Sequence, residues 1–263
     1  MLPISRRALL AGMAACGCSQ LAGPRVWARS LSDAKGCVLL EGDYGLIAGR
    51  KISLGQTLSN AAAKDAGAGE KMRRTTNNPE LDRALDRALK RLADTFGIFP
   101  GFGFYDDFDG PNARALRKDL VPKTKGTVLF GDKLFDNLMD LDGSGGAVMW
   151  TAAHEFAHIW LFYSGEMDKV RAGQKNVKRM ELHADFLAGF YLGLRKKESP
   201  QVSLWTAGKD IWSSGDTQYN SPDHHGTPQE RIAAAEAGFK VSFVEGRSAH
   251  DAFRAATDYV LSR

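Results

Sequence analysis

Trp150-Thr-Ala-Ala-His154-Glu155-Phe-Ala-His158-Ile-Trp160 is the stretch on which the reading of this chain turns. Two histidines four residues apart stand on one face of a helix, one turn from each other. Their imidazoles can therefore converge on one cation, each at about 2.0–2.1 Å. Glu155 follows the first histidine, so its carboxylate falls beside such an ion rather than on it. There it can take a proton from a bound water. The flanks sharpen the pattern. From Gly143 to Tyr163, Glu155 is the only charged residue apart from the two histidines. A lone carboxylate in an apolar helix is expensive to bury. A plain core helix with satisfied histidines leaves Glu155 unexplained.

Two imidazoles leave a catalytic ion one protein ligand short, because such sites hold three and keep a position open for water. The extended pattern with a glycine and a third histidine is absent: Leu161 stands where its glycine falls. The next candidate is Glu181-Leu-His-Ala-Asp185. Glu181 and Asp185 are four apart and share a helix face. Glu181 can bind the ion while Asp185 accepts the N–H of a liganding histidine, which fixes its tautomer. His183 points elsewhere and ranks below Glu181 as third ligand. An exposed acidic face is the alternative reading. Phe186, Leu187, Phe190 and Tyr191 weigh against it, since they mark a mostly buried helix.

Outward from these two helices, the 263 residues suit one well-buried domain with a short extra segment. Residues 1–28 read as an export signal of twin-arginine type: Arg6 and Arg7 follow Ser5, and Ala8 to Ala15 is apolar. No acid precedes Asp33, and Val26-Trp27-Ala28 is a small-residue cleavage pattern. A periplasmic or secreted location is expected. Removal of this piece takes away Arg6, Arg7 and Arg25 and no acid, so the net charge falls from +4 to +1. The basic balance thus belongs to the leader and gives no nucleic-acid signal. The leader's apolar core is too short to span a bilayer, so no transmembrane helix is expected in the mature chain. Met13-Ala-Ala-Cys16 loosely resembles a lipobox, making acylation at Cys16 and a membrane-anchored lipoprotein the competing route. Cys37 is the only cysteine left after Ala28, which rules out an intramolecular disulfide.

Residues 29–77 read as a linker or pro-segment, and 78–263 as the folded domain. Asn78-Pro79 opens a helix whose apolar positions run from Leu81 to Phe96, and Gly97 closes it. Ile98–Phe108 and Gly126–Gly131 read as strands and Asp132–Leu141 as a short helix. Further helices are expected over residues 147–163, 177–194, 228–237 and 252–261. The fold class is α+β, mainly helical with a small sheet.

With H-E-F-A-H and E-L-H-A-D on two helices, the chain resembles the gluzincin metallopeptidases. Within them it is most similar to the HtpX and CAAX prenyl protease family, particularly its soluble periplasmic members. The likeness covers residues 80 to 240. Pro111-Asn-Ala-Arg-Ala115, Gly126-Thr-Val-Leu-Phe-Gly131 and His225-Gly-Thr-Pro-Gln-Glu-Arg231-Ile232 also resemble family strings. Arg114 replaces the usual aromatic, and Gly226 the proline after His225. The resemblance implies a zincin-like domain with an edge strand bordering the active-site helix. It implies Zn2+ held by His154, His158 and Glu181, with Glu155 as catalytic base. It also implies that Arg231 pairs with a carboxylate near the metal, Asp185 being the candidate.

The expected activity is that of a zinc-dependent endopeptidase acting on peptides or proteins in the cell envelope. A substrate backbone would add as a strand along Thr127, Val128, Leu129 and Phe130, since edge pairing reads main chain. The tetrahedral intermediate needs a further stabilising group. His225 is the first candidate, followed by Tyr219 and Tyr191. Rival readings keep the fold but not the chemistry: a non-catalytic zinc-binding envelope protein, or a lipoprotein assembly factor. A zymogen covered by residues 29–77 is a third.

Overall fold

A computed structural model describes residues 72–73, 76, 78–107, 110–121, 123–141, 145–200, 215–217, 219, 221 and 223–263. The expected leader, Cys16, Cys37 and most of the 29–77 segment lie outside the described residues. The chain is α+β and mostly helical, with one small sheet. It divides into two compact units, one up to Gly143 and the other from Ser144 on.

In the first unit, α1 (Pro79–Phe96) starts where Asn78 Oδ1 accepts the N–H groups of Glu80 and Leu81. It ends at Gly97 in the left-handed region, φ 64°. The sheet contains β1 (Met72–Arg73), β2 (Gly101–Tyr105), β3 (Ala113–Leu116) and β4 (Thr127–Gly131), in the order β1-β2-β4-β3. β2 and β4 are parallel, and the other pairs are antiparallel. α2 (Asp132–Leu141) follows β4 directly. Its Phe135 packs edge-on against Phe104 and Phe130 of the sheet, at 5.2 and 6.0 Å. The fully buried Asp107 caps this helix by accepting the N–H groups of Lys133 (2.8 Å) and Leu134 (3.1 Å).

Thr127–Phe130 is an interior strand, not an edge: β2 pairs with one side and β3 with the other. Its main-chain groups are committed on both sides, so Thr127, Val128, Leu129 and Phe130 have none to offer a substrate strand. All five residues of β4 are buried, and a short apolar run reads alike for either position. β3 occupies that side of the sheet, and it overlaps the end of the Pro111–Ala115 string, where the sequence gives no strand signal. The sheet also takes in Met72–Arg73, which the sequence reading left in the 29–77 segment.

The second unit holds α3 (Gly146–Ser164), α4 (Met167–Arg171), α5 (Lys178–Glu198), α6 (Pro228–Phe243) and α7 (Ala249–Leu261). α3 is buried on nearly every side, which is why it carries no polar stripe. Leu161, Met167, Val170, Leu182, Ala234 and Val260 form a core that draws on all five helices. Among the described residues, no helix is long and apolar enough to cross a membrane.

α6 was expected to stop at Ala237, but it runs through Gly238 to Phe243. The glycine is a packing residue. A Cβ at Gly238 would collide with the Phe186 carbonyl of α5, and one at Gly189 with the Ala235 carbonyl of α6. The two helices therefore cross backbone to backbone. Alanine favours a helix interior over glycine by about 1 kcal/mol, so the crossing reverses the ordinary preference. Gly238→Ala should lower unfolding stability by about 1–3 kcal/mol through overpacking. Urea denaturation checks this, and a neutral or stabilising result would contradict the close crossing.

Candidate metal centre

The site is assembled within the second unit from three helices. α3 supplies His154, Glu155 and His158, α5 supplies Glu181 and Asp185, and α6 supplies Arg231. The i, i+4 spacing brings the two Nε2 atoms to 3.1 Å of each other. Glu181 closes the triangle: Oε2 lies 3.3 Å from His154 Nε2, and Oε1 lies 3.4 Å from His158 Nε2. These three residues form a group that could hold a metal ion. Both histidines are buried, and Glu181 is nearly so.

Asp185 determines how His154 presents itself. Its Oδ1 lies 3.0 Å from His154 Nδ1. A carboxylate only accepts, so Nδ1 carries a proton and Nε2 is the nitrogen turned toward His158 and Glu181. Arg231 holds Asp185 in turn, donating from Nε to Oδ2 at 2.7 Å and from Nη2 to Oδ1 at 2.8 Å. The same Nη2 stands 3.8 Å from Glu181 Oε2. One guanidinium thus approaches both Asp185 and Glu181. Asp185 is fully buried and Arg231 is 4% exposed, so neither charge is tolerable alone.

The electrostatics follow from this packing. Burial works against ionising Asp185, but Arg231 outweighs it and holds the carboxyl below its ordinary range. Burial also opposes Glu181, and the two histidines carry it well below the usual value. Burial disfavours charge on His154, yet Asp185 and Glu181 raise it to about 10. Without an ion, a proton is thus what reconciles the converging donors. A cation between them would take over that role and release the proton. Glu155 differs: burial dominates and raises its pKa, against the partly compensating charges of His154 and His158. Its carboxylate belongs to none of the hydrogen bonds that tie Asp185 and Glu181 in place.

The other candidates fall as follows. His183 does not join the trio. It is fully buried with its ring stacked on Trp160 at 5.7 Å, and burial, with the nearby charge of His158, lowers its pKa to about 3. His225 is about half exposed and makes its contacts with Asp216. Tyr219 is exposed and Tyr191 buried.

Sequence reading missed Asp216 and His224. His224 is 2% exposed, and its Nδ1 lies 2.6 Å from Asp216 Oδ1. Its Nε2 has no hydrogen-bond partner among the described residues. Consecutive histidines point different ways, so His224-His225 announces one inward-facing imidazole without saying which.

No family model, no curated protein and no solved structure matches the chain. The donor triangle therefore rests on its own geometry. His154→Ala or Glu181→Ala should abolish stoichiometric metal content after dialysis. Asp185→Asn, which leaves the three donors in place, should weaken metal affinity about 10- to 100-fold. Elemental analysis and chelator competition measure both, and unchanged affinity in Asp185→Asn would separate Asp185 from the site.

Proposed function

We propose that this protein is a zinc-dependent peptidase of gluzincin type that acts in the cell envelope. The observation that carries the proposal is the triangle of His154, His158 and Glu181 with the carboxylate of Glu155 next to it in sequence. Donors about 2.0–2.1 Å from a tetrahedral zinc ion stand about 3.3–3.4 Å from one another. Here the two Nε2 atoms are 3.1 Å apart, and Glu181 reaches them with separate oxygens, Oε2 to His154 at 3.3 Å and Oε1 to His158 at 3.4 Å, so its carboxylate faces both rings at that spacing. Two imidazoles and a carboxylate are also a donor set that zinc accepts readily. Zinc bound there would supply Lewis acidity, acidifying a water and polarising the substrate carbonyl.

The chain's own residues divide the remaining work. Glu155 takes a proton from the attacking water as its oxygen bonds to the carbonyl carbon. It then delivers that proton to the leaving nitrogen as the C–N bond breaks. The raised pKa of Glu155 suits a group that must both accept and return a proton. Asp185 keeps His154 in the tautomer with a free Nε2, and Arg231 keeps Asp185 ionised. His225, the group first expected to stabilise developing charge on the carbonyl oxygen, is half exposed, and its buried neighbour His224 is fixed by Asp216.

Glu155→Gln should retain full zinc content while peptide hydrolysis falls about 10²- to 10⁴-fold. A quenched peptide library, run with and without chelator alongside metal analysis, provides the measurement. Undiminished turnover in a zinc-loaded variant would remove Glu155 from the chemistry. Absence of chelator-sensitive hydrolysis in the zinc-loaded wild type would favour a non-catalytic zinc-binding role.

A further inference from the structure

We infer that Lys178 and Glu230 are positioning residues for the metal centre, acting through Arg231. The inference rests on the metal-site reading above and extends it by one layer. Lys178 is the first residue of α5; Val177 before it offers no side-chain cap, and Asn176 Oδ1 accepts the Lys178 N–H at 3.3 Å. A cation is poorly placed there, because it faces the positive end of the helix dipole. Such a breach of a local rule calls for a compensating contact, and Glu230 supplies it. Lys178 Nζ donates to Glu230 Oε1 at 3.0 Å.

Glu230 has a second commitment. Its Oε2 accepts the Thr227 N–H at 2.9 Å and lies 3.1 Å from Thr227 Oγ1, while the Glu230 N–H donates back to Oγ1 at 3.2 Å. This capping box fixes the first turn of α6. Glu230 therefore joins the start of α6 to the start of α5. The entering chain also rests on the lysine stem: at Gly226, φ 96°, a Cβ would meet Lys178 Cγ and Leu182 Cδ2 at 3.4 Å and Arg231 Cγ at 3.6 Å.

Arg231, the next residue, reaches the other way to Asp185 and Glu181. Lys178, Glu181 and Asp185 are spaced i, i+3, i+7, so all three lie along one face of α5. The outer pair, Lys178–Glu230, sets the depth at which the inner pair, Arg231–Asp185, engages. That depth in turn sets where Glu181 and the His154 tautomer are held. Lys178 and Glu230 are each partly exposed, and an exposed ion pair adds little to stability. Its consequence is geometric.

Position and bare electrostatics predict opposite signs for one variant. Lys178→Met keeps the stem and removes a positive charge near a cation site, so Coulomb's law alone would tighten metal binding. Loss of position would loosen it. Glu230→Gln keeps an acceptor for the capping box and removes only the charge. We expect both variants to weaken Zn2+ binding about 3- to 10-fold, less than a direct partner of a ligand would. The double variant should be no weaker than either single one, because the two changes break the same link. Lys178→Arg should retain wild-type affinity.

Zn2+ dissociation constants, measured on the full chain by competition with a chromophoric chelator, decide the matter. Unfolding of the metal-free forms is followed in parallel. Wild-type affinity or tighter in Lys178→Met overturns the inference, as do additive losses in the double variant. If the wild type takes up no zinc, the metal-site reading fails and the inference with it. If the wild type binds and both single variants bind equally well, only the positioning role fails.

Discussion

A buried guanidinium gripping a buried carboxylate, Arg231 on Asp185, is the contact on which the second unit turns. Taking either charge out of water alone would cost several kcal/mol. The pair avoids that cost only through its two hydrogen bonds of 2.7 and 2.8 Å. Those bonds fix α6 against α5 at one register. Farther along, Gly189 and Gly238 let the same helices meet backbone to backbone. The charge pair and the glycine crossing constrain one interface at different points. Rotation of α6 would break the first, and bulk at the crossing would force apart the second.

From that interface the candidate metal centre follows. Asp185, held by Arg231, can spend Oδ1 on His154 as well. The ring of His154 is thereby fixed with its lone pair inward, and His158 sits one turn on. Glu181 lies one turn before Asp185 and falls opposite both rings. The local order of the first turn of α5 thus propagates to three donors that would otherwise repel. Nothing in α3 by itself demands that geometry; an i, i+4 histidine pair only permits it.

Much of the site was legible because helical spacing is rigid. His154, Glu155, His158, Glu181 and Asp185 could be placed on faces from residue numbers alone, and the structure brings four of them into direct hydrogen-bonding or ion-pair range. Helix starts were legible where caps are chemical, at Asn78 with Pro79 and at Pro228. The strand role of Thr127–Phe130 was not legible. Burial and β-propensity say that a run is a strand, but neighbours decide whether it is interior or edge, and the neighbour β3 has no strong signal in Ala113-Arg-Ala-Leu116. Gly238 misled for a related reason. Sequence offers one symbol for a glycine that ends a helix and for one that lets another helix approach. His224 and His225 differ only in which way the loop before α6 turns, a tertiary fact with no local trace.

The charge balance of the centre is a further argument for the ion. Three carboxylates, Glu155, Glu181 and Asp185, share this buried region with one guanidinium, that of Arg231. With neutral imidazoles the sum is two negative charges, in surroundings where charge is poorly solvated. Protonation offers partial relief, and the shifts of His154 and Glu155 show where protons would go. A proton on His154, however, occupies the lone pair that the Asp185 contact has turned inward. A proton on Glu155 leaves the triangle of donors unaddressed. A divalent cation among His154, His158 and Glu181 balances both charges at once and uses all three converging lone pairs. It also lets Glu155 stay ionised beside it, the state a proton acceptor requires. The same residues thus account for the burial of the charges and for the chemistry proposed for them.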